Sequence, residues 1–422
     1  MFKKITLKNG LRLVVVPKSD TKVVTVFVLI GVGSRYETKS VQGLAHFIEH
    51  MMFKGTKKRP TALHLTRDIE GMGGAPSAFT SRDMTAYTIK VNSANAEKAT
   101  EILSDMLCNS RLDVEEIERE KGVIVEEENM RHDNPLIHIG DLFDNTLFGD
   151  QPIGRDPGGE KGSVRRMQRK NFASFLKRFY TTGNTVIGMA GDIDPKQAEK
   201  LANKYFACLK SGTRSLPKRA SLKPTFSKVR IAHRQSEQSH IALGFPGFSY
   251  KNPNRPTLEI LNVILGANMS SRLFSVIREK HGMAYYIRSH IDYLAETGTY
   301  SVMAGLDTKR ITKALRLIVK ELYRLTKAPV GVAELKRAKE YLKGQLAIQM
   351  EDSEQLVFWL TRQTMMEGKI QTVEDKMAAL DKVKPSEIRR VAKQIFRENK
   401  MNLAVIGPFA DKDKFQKLLT FS

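Results

Sequence analysis

Cysteine is almost missing from this chain of 422 residues: Cys108 and Cys208 are the full complement, and they make no C-x-x-C pair. No disulfide framework is legible, and sparse cysteine fits a reducing cytoplasm. Long apolar runs are missing too. No stretch approaches the roughly 20 residues of a membrane-spanning helix, so no membrane partner is expected. In the opening Met-Phe-Lys-Lys-Ile-Thr-Leu-Lys-Asn-Gly-Leu-Arg-Leu-Val-Val-Val-Pro, charges break every apolar stretch. That pattern lacks the apolar core of a signal peptide. Instead Ile5-Thr6-Leu7 and Leu11 to Val16 flank Asn9-Gly10 as in a hairpin, and the first residues are expected to belong to the fold. Acidic residues are scarce against basic ones, 46 Asp and Glu to 69 Lys and Arg, a formal charge of +23. Such an excess suits nucleic acid or a membrane surface. Here it is dispersed, and its densest stretch, Arg165-Arg166 through Arg169-Lys170, has no interleaved aromatics. A solvated basic surface with no nucleic-acid partner is the expectation.

What is present is enough apolar material, 41% of residues, to build well-buried cores in a chain longer than one core usually fills. Two domains are expected, over 1–209 and 226–422, joined by a linker at 210–225 rich in Pro, Ser and charge. The halves repeat one another. Tyr87-Thr-Ile-Lys-Val followed by Glu97-Lys-Ala-Thr-Glu-Ile-Leu parallels Tyr300-Ser-Val-Met-Ala followed by Thr312-Lys-Ala-Leu-Arg-Leu-Ile. Val114-Glu-Glu-Ile-Glu-Arg-Glu-Lys parallels Val332-Ala-Glu-Leu-Lys-Arg-Ala-Lys, and Asn184-Thr-Val-Ile-Gly parallels Asn402-Leu-Ala-Val-Ile-Gly407. Each half reads as strands, a long helix, further strands, more helices and a last strand. The fold class expected is α+β: two homologous α/β-sandwich domains, each a mostly antiparallel sheet covered by helices.

The chemistry concentrates between Gly43 and Thr56, in Gly-Leu-Ala-His-Phe-Ile-Glu-His-Met-Met-Phe-Lys-Gly-Thr. On an α-helix, residues four apart lie about 40° apart around the axis and about 6 Å along it. His46 and His50 therefore project from one face and can share a zinc ion, with Glu49 in the same arc as a proton acceptor. Leu44, Phe47, Ile48 and Met51 form the opposite, core-facing side. This H-x-x-E-H order inverts the commoner H-E-x-x-H zinc-protease motif. His64 and His132 carry no functional reading. A catalytic zinc wants a third protein ligand, and Val114–Asn129 offers glutamates in a helical pattern. Ile117 and Ile124 turn inward, with Val114 and Val125 more loosely so. Glu120 and Glu127, seven apart, share a face, and Glu126 is adjacent. Glu115, Glu116, Glu118 and Glu128 read as a solvated acidic face.

The H-x-x-E-H box followed by Arg119-Glu120-Lys121-Gly122-Val123-Ile124-Val125-Glu126-Glu127 resembles the pitrilysin/insulinase family of zinc peptidases, the inverzincins. The resemblance is to their short-chain subgroup, which includes the mitochondrial processing peptidase beta subunit and its bacterial homologues. It implies that Glu127, 77 residues after His50 (127 − 50), is the third zinc ligand. Glu120 then falls on the glutamate that orients a ligating histidine through its other ring N–H. The segment Gly73–Asp83 resembles the family's glycine-led edge strand, which pairs with the substrate backbone. That marks Gly74, Ser77, Ala78 and Phe79 as substrate-binding. Ser77 stands where the family usually has Asn, and its shorter side chain lacks the amide's paired donor and acceptor. Further on, Ser271-Arg272-Leu273-Phe274 with Arg278 and Tyr285 resembles the family's arginine–tyrosine motif, which contacts the substrate carbonyl and helps the oxyanion.

The second repeat has no H-x-x-E-H, and Ala338 and Gln345 occupy the positions of Glu120 and Glu127. The resemblance implies one Zn2+ per chain, peptide substrates, Glu49 as general base, and Tyr285 and Arg278 as further catalytic groups. It also implies a homodimer that encloses a chamber, with each active site completed in trans. The alternative it leaves is a non-catalytic or partner-dependent processing or core subunit.

Overall fold

In the computed structural model, residues 2–221 and 228–421 are described. The linker expected at 210–225 runs into 222–225, outside the described residues. The chain forms two compact units, and each takes residues from both halves of the sequence. One comprises Met1–Glu128, Asp156–Lys218 and Ile348–Ile370; the other comprises Asn129–Arg155, Arg219–Ala347 and Gln371–Ser422.

The first unit is built on a six-stranded sheet of β1 (Lys3–Thr6), β2 (Arg12–Pro17), β3 (Val23–Ile30), β4 (Ala75–Thr80), β5 (Thr85–Asn92) and β6 (Thr185–Gly191), ordered β1-β2-β6-β3-β5-β4. The expected N-terminal hairpin is there: β1 and β2 pair antiparallel from Thr6↔Arg12 to Lys3↔Val15. Gly10 at the turn takes φ +81°, a conformation that Cβ-bearing residues rarely adopt. The second unit repeats the arrangement with β7 (Val229–His233), β8 (Gln238–Pro246), β9 (Ala284–Tyr293), β10 (Gly298–Asp307) and β11 (Asn402–Gly407), ordered β7-β11-β8-β10-β9. Apart from β1 the two orders are the same, and in each unit a single parallel pair, β2 with β6 or β7 with β11, interrupts antiparallel neighbours. The α+β class and the internal repeat are therefore as expected.

Between the strands run α1 (Leu44–Met52), α2 (Ala62–Glu70), α3 (Ala96–Asn109), α4 (Val114–Asp133) and α5 (Pro135–Phe148). Helices Ile311–Lys327, Val332–Glu351 and Ser353–Met366 follow in the second half, in the positions of α3, α4 and α5. The helix after each 20-residue helix joins the sheet of the opposite half. Ile139, Leu142 and Phe143 of α5 share a buried cluster with Ala242 of β8 and Ala404 of β11. Helix Ser353–Met366 lies against β6 so closely that a Cβ on Gly188 would fall 2.3 Å from Val357 Cγ2. Gly244 does the same for α5, where a Cβ would fall 2.6 Å from Phe143 Cζ. Both sheets are thus covered on two faces, which is why β3 reads Val-Val-Thr-Val-Phe-Val-Leu-Ile with almost no alternation.

The cysteines depart from expectation. Cys108, at the end of α3, and Cys208, past helix Pro195–Tyr205, form a disulfide across 100 residues. No local spacing announces such a pair; it depends on two helix ends meeting, where Ser104 Oγ also donates to the Tyr205 carbonyl at 2.7 Å. Alkylation without reductant is expected to find no free thiol. Cys108→Ala is expected to cost about 2–5 kcal/mol in denaturant unfolding, as for native disulfides in general. Full alkylation of the unreduced native protein would refute the pair.

Candidate metal centre

Helix α1 starts under strong constraint. Gly43, before its first turn, has φ +93°, and a Cβ there would fall 2.4 Å from the Gly158 carbonyl oxygen. Glu37, buried, receives the Gly43 and Ala45 amides at 2.7 and 2.6 Å, so a carboxylate closes the N-terminus of the helix. That satisfies otherwise orphaned N–H groups and complements the helix dipole. Leu44, Phe47, Ile48 and Met51 are buried as expected, which fixes the rotation of α1 and turns His46, Glu49 and His50 away from the core.

Helix α4 supplies the other wall. Ile117, Ile124 and Val125 are buried, but Val114 at the first turn is exposed. Glu128 is buried as well, contrary to its solvated reading. It lies eleven residues after Ile117, almost the same direction on a 3.6-residue helix, and it packs where a Cβ on Gly158 would fall 1.5 Å from its Oε1. Glu115 and Glu118 are exposed as expected, Glu116 is half-buried, and Glu126 points to solvent.

These two helices bring the predicted ligands together. His46 Nε2 and His50 Nε2 are 3.2 Å apart. Glu127 approaches both, Oε1 at 3.6 Å from His46 Nε2 and Oε2 at 3.4 Å from His50 Nε2. Among the described residues this trio is the only cluster of His, Cys, Asp and Glu with metal-ligand convergence. An ion with bonds of ~2.0–2.1 Å in tetrahedral geometry holds its ligands about 3.3–3.4 Å apart, so the observed separations and the N, N, O donor set fit zinc.

Glu120, almost fully buried, sits behind His50. Its Oε1 meets His50 Nδ1 at 2.9 Å and its Oε2 meets Lys54 Nζ at 2.6 Å. Burial alone would raise the Glu120 carboxyl, but those two donors hold it below the usual carboxylate range. Burial also opposes the charge on His50, yet hydrogen bonds and charge from Glu120 and Glu127 push that imidazole up to about 9. Glu49 shifts the other way for a carboxylate: burial raises it, and the hydroxyl of Thr80, donating to Oε2 at 2.5 Å, only partly offsets this. A carboxyl moved up toward neutrality is matched to proton transfer.

Ser77, Ala78 and Phe79 lie on β4 and Gly74 in the turn before it; the same strand ends in Thr80, whose hydroxyl reaches Glu49. The strand ends the sheet, paired with β5 through Ser77↔Thr88 and Ala78↔Tyr87, and among the described residues no strand pairs with its outer side. Ser77 is exposed, and the Phe79 ring stands edge-on to Phe358 at 5.4 Å. Gly74 approaches Ile69 too closely for a Cβ, which would fall 2.9 Å from that carbonyl oxygen.

Arg278 and Tyr285 belong to the second unit. Arg278 lies in a wide-turned helical segment, Phe274–Lys280, with its guanidinium 5.0 Å over the Phe274 ring. The segment is pinned by Arg272, whose two nitrogens grip Glu334 at 2.8 and 2.7 Å. Tyr285 is the second residue of β9, the edge strand matching β4, and is 74% exposed, so it is no core aromatic. Ala338 is buried and Gln345 half-buried on the helix matching α4.

Three contributors escaped sequence reading. Lys54 lies just beyond the end of α1, where helical spacing does not place it. Glu37 and Thr80 reach α1 from other elements and had no local signal.

The sequence matches the family model described as insulinase (peptidase family M16) over residues 13–156, and the peptidase M16 inactive domain over 166–342. It is similar to an uncharacterized zinc protease of Mycobacterium leprae, 34% identical over 426 residues that cover 99% of this chain and 94% of the relative. An uncharacterized zinc protease of Bacillus subtilis is 30% identical over 97% of this chain and 98% of its own length. Among solved structures, a protease from Helicobacter pylori superposes with a TM-score of 0.90 at 27% identity, covering 97% of this chain and 99% of that one.

Proposed function

Because this chain belongs to the insulinase family of peptidases, peptidase family M16, we propose that it is a zinc endopeptidase acting on unfolded peptides. The observation that carries the reading is the convergence of His46, His50 and Glu127 at separations that suit one tetrahedral ion. Bound there, zinc supplies a Lewis acid and lowers the pKa of a coordinated water from 15.7 toward ~7.

The chain's own residues do the rest. Glu120 accepts a hydrogen bond from the His50 Nδ1–H, which fixes the tautomer and leaves Nε2 for the metal. Glu49 accepts the proton of the attacking water and passes it to the nitrogen of the leaving amine. The open side of β4 adds a peptide strand, with Gly74, Ser77, Ala78 and Phe79 along it, so main-chain pairing binds substrates with broad sequence tolerance. Tyr285 donates to the developing oxyanion and Arg278 positions the tyrosine or the carbonyl. We further propose a homodimer around a closed chamber, each zinc half completed by the Arg278–Tyr285 motif of the other copy.

No helix among the described residues is long and apolar enough to cross a membrane. The cytoplasmic home expected from sparse cysteine stands in tension with the Cys108–Cys208 disulfide, since the cytosol of mesophiles keeps such pairs reduced.

Metal analysis paired with a peptide-library digest tests the proposal. The protein is expected to hold one zinc per chain, to cut unfolded peptides and spare folded proteins, to stop on chelation, and to recover with zinc alone. Undiminished cleavage by chelated protein that analysis shows to be free of metal would end the zinc reading.

A further inference from the structure

Glu49 is held from one side only. Its Oε2 accepts the Thr80 hydroxyl at 2.5 Å, while no hydrogen bond from the described residues reaches Oε1. Thr80 is not part of the metal-binding helices. It is the last residue of β4, paired with Thr85 on β5, on the strand whose outer side no described strand pairs with. Both buried, the Tyr87 and Tyr180 hydroxyls meet each other at 3.0 Å, and Thr80 is the residue that donates to Glu49. The hydroxyl therefore selects which carboxylate oxygen stays available and locks the rotation of the carboxyl plane.

We propose that Thr80 is a positioning residue: it ties the carboxylate of Glu49 to the end of the substrate-pairing strand, so that a peptide added to β4 meets a base already in register with it. A loose carboxylate would sample rotamers that turn the reactive oxygen away, and a misplacement near 1 Å can cost about 10²-fold. This inference rests on Glu49 being the base, as argued above, and its test separates the two.

The experiment compares Thr80→Val, Thr80→Ser and Glu49→Gln, alone and as the Thr80→Val/Glu49→Gln double variant, with zinc content and melting temperature measured on each. Thr80→Val keeps the side-chain shape and removes the donor. It is expected to lower kcat about 10–100-fold at nearly constant KM with zinc retained, while Thr80→Ser, which keeps the donor, recovers kcat to within about threefold of wild type. In the Glu49→Gln background, removing the Thr80 hydroxyl should change the residual rate no further, because the two act as one unit. Wild-type kcat in Thr80→Val overturns the proposal. So does a loss carried by KM or by zinc content, an equal loss in Thr80→Ser, or an additive loss in the double variant. If Glu49→Gln itself stays active, the base assignment fails; if it is dead while Thr80→Val is unimpaired, only the positioning role fails.

Discussion

Glu49→Gln is expected to lose peptide hydrolysis by about 10²–10⁴-fold while still binding one zinc per chain. Its partner variant, Glu127→Gln, should lose the metal itself. The contrast follows from geometry. Glu127 lies 3.6 and 3.4 Å from the two imidazole nitrogens and completes the donor triangle, whereas Glu49 bonds to Thr80 on β4. An amide at 127 offers a neutral carbonyl where the ion needs a carboxylate; an amide at 49 leaves the triangle untouched but cannot take a proton. Zinc stoichiometry and kcat on the same preparations check both. Metal loss in Glu49→Gln, or full zinc retention in Glu127→Gln, would reverse the roles assigned. The pH profile adds a sign. Burial raises the Glu49 carboxyl above its ordinary value, and the base must be ionised to act. Activity is therefore expected to fall with decreasing pH as this carboxylate protonates.

Mixing two dead variants is expected to restore activity. Glu49→Gln and Tyr285→Phe chains, unfolded together and refolded, should give about a quarter of wild-type turnover, since half the dimers are mixed and each mixed dimer has one intact site of two. Each single variant should be nearly inactive, because losing one oxyanion donor typically costs about 2.7–4 kcal/mol. The expectation rests on sequence distribution: the proposed ligands sit in the first repeat, and Arg278 and Tyr285 in the second, where Tyr285 is exposed on an edge strand. Absence of recovery at any mixing ratio, with both variants folded and zinc-loaded, would defeat completion in trans.

Much of the site was legible because it is written at short range. The four-residue step from His46 to His50 and the seven-residue step from Glu120 to Glu127 are helical periods, and a helix converts such spacing into a shared face without help from the rest of the chain. The internal repeat was legible for a similar reason, since stretches such as 114–121 and 332–339 carry matching residue patterns in the two halves. Glu128 shows the limit. Its charge favours the solvated reading, but its angle on α4 follows Ile117 and Ile124, and packing against Gly158 decided in favour of angle.

By itself, then, the amino-acid order determined which helices carry the proposed ligands, which apolar residues most of them bury and that two homologous sheets would form, because periodicity and apolar burial are local and additive. Tertiary structure alone decided the rest. It set α4 against α1 so that Glu127 meets the imidazoles, and it brought Thr80 to Glu49 and Glu37 to the start of α1. It joined Cys108 to Cys208 and sent α5 and Ser353–Met366 to the opposite sheets. Each of these depends on where a distant segment comes to rest, and no local period records that.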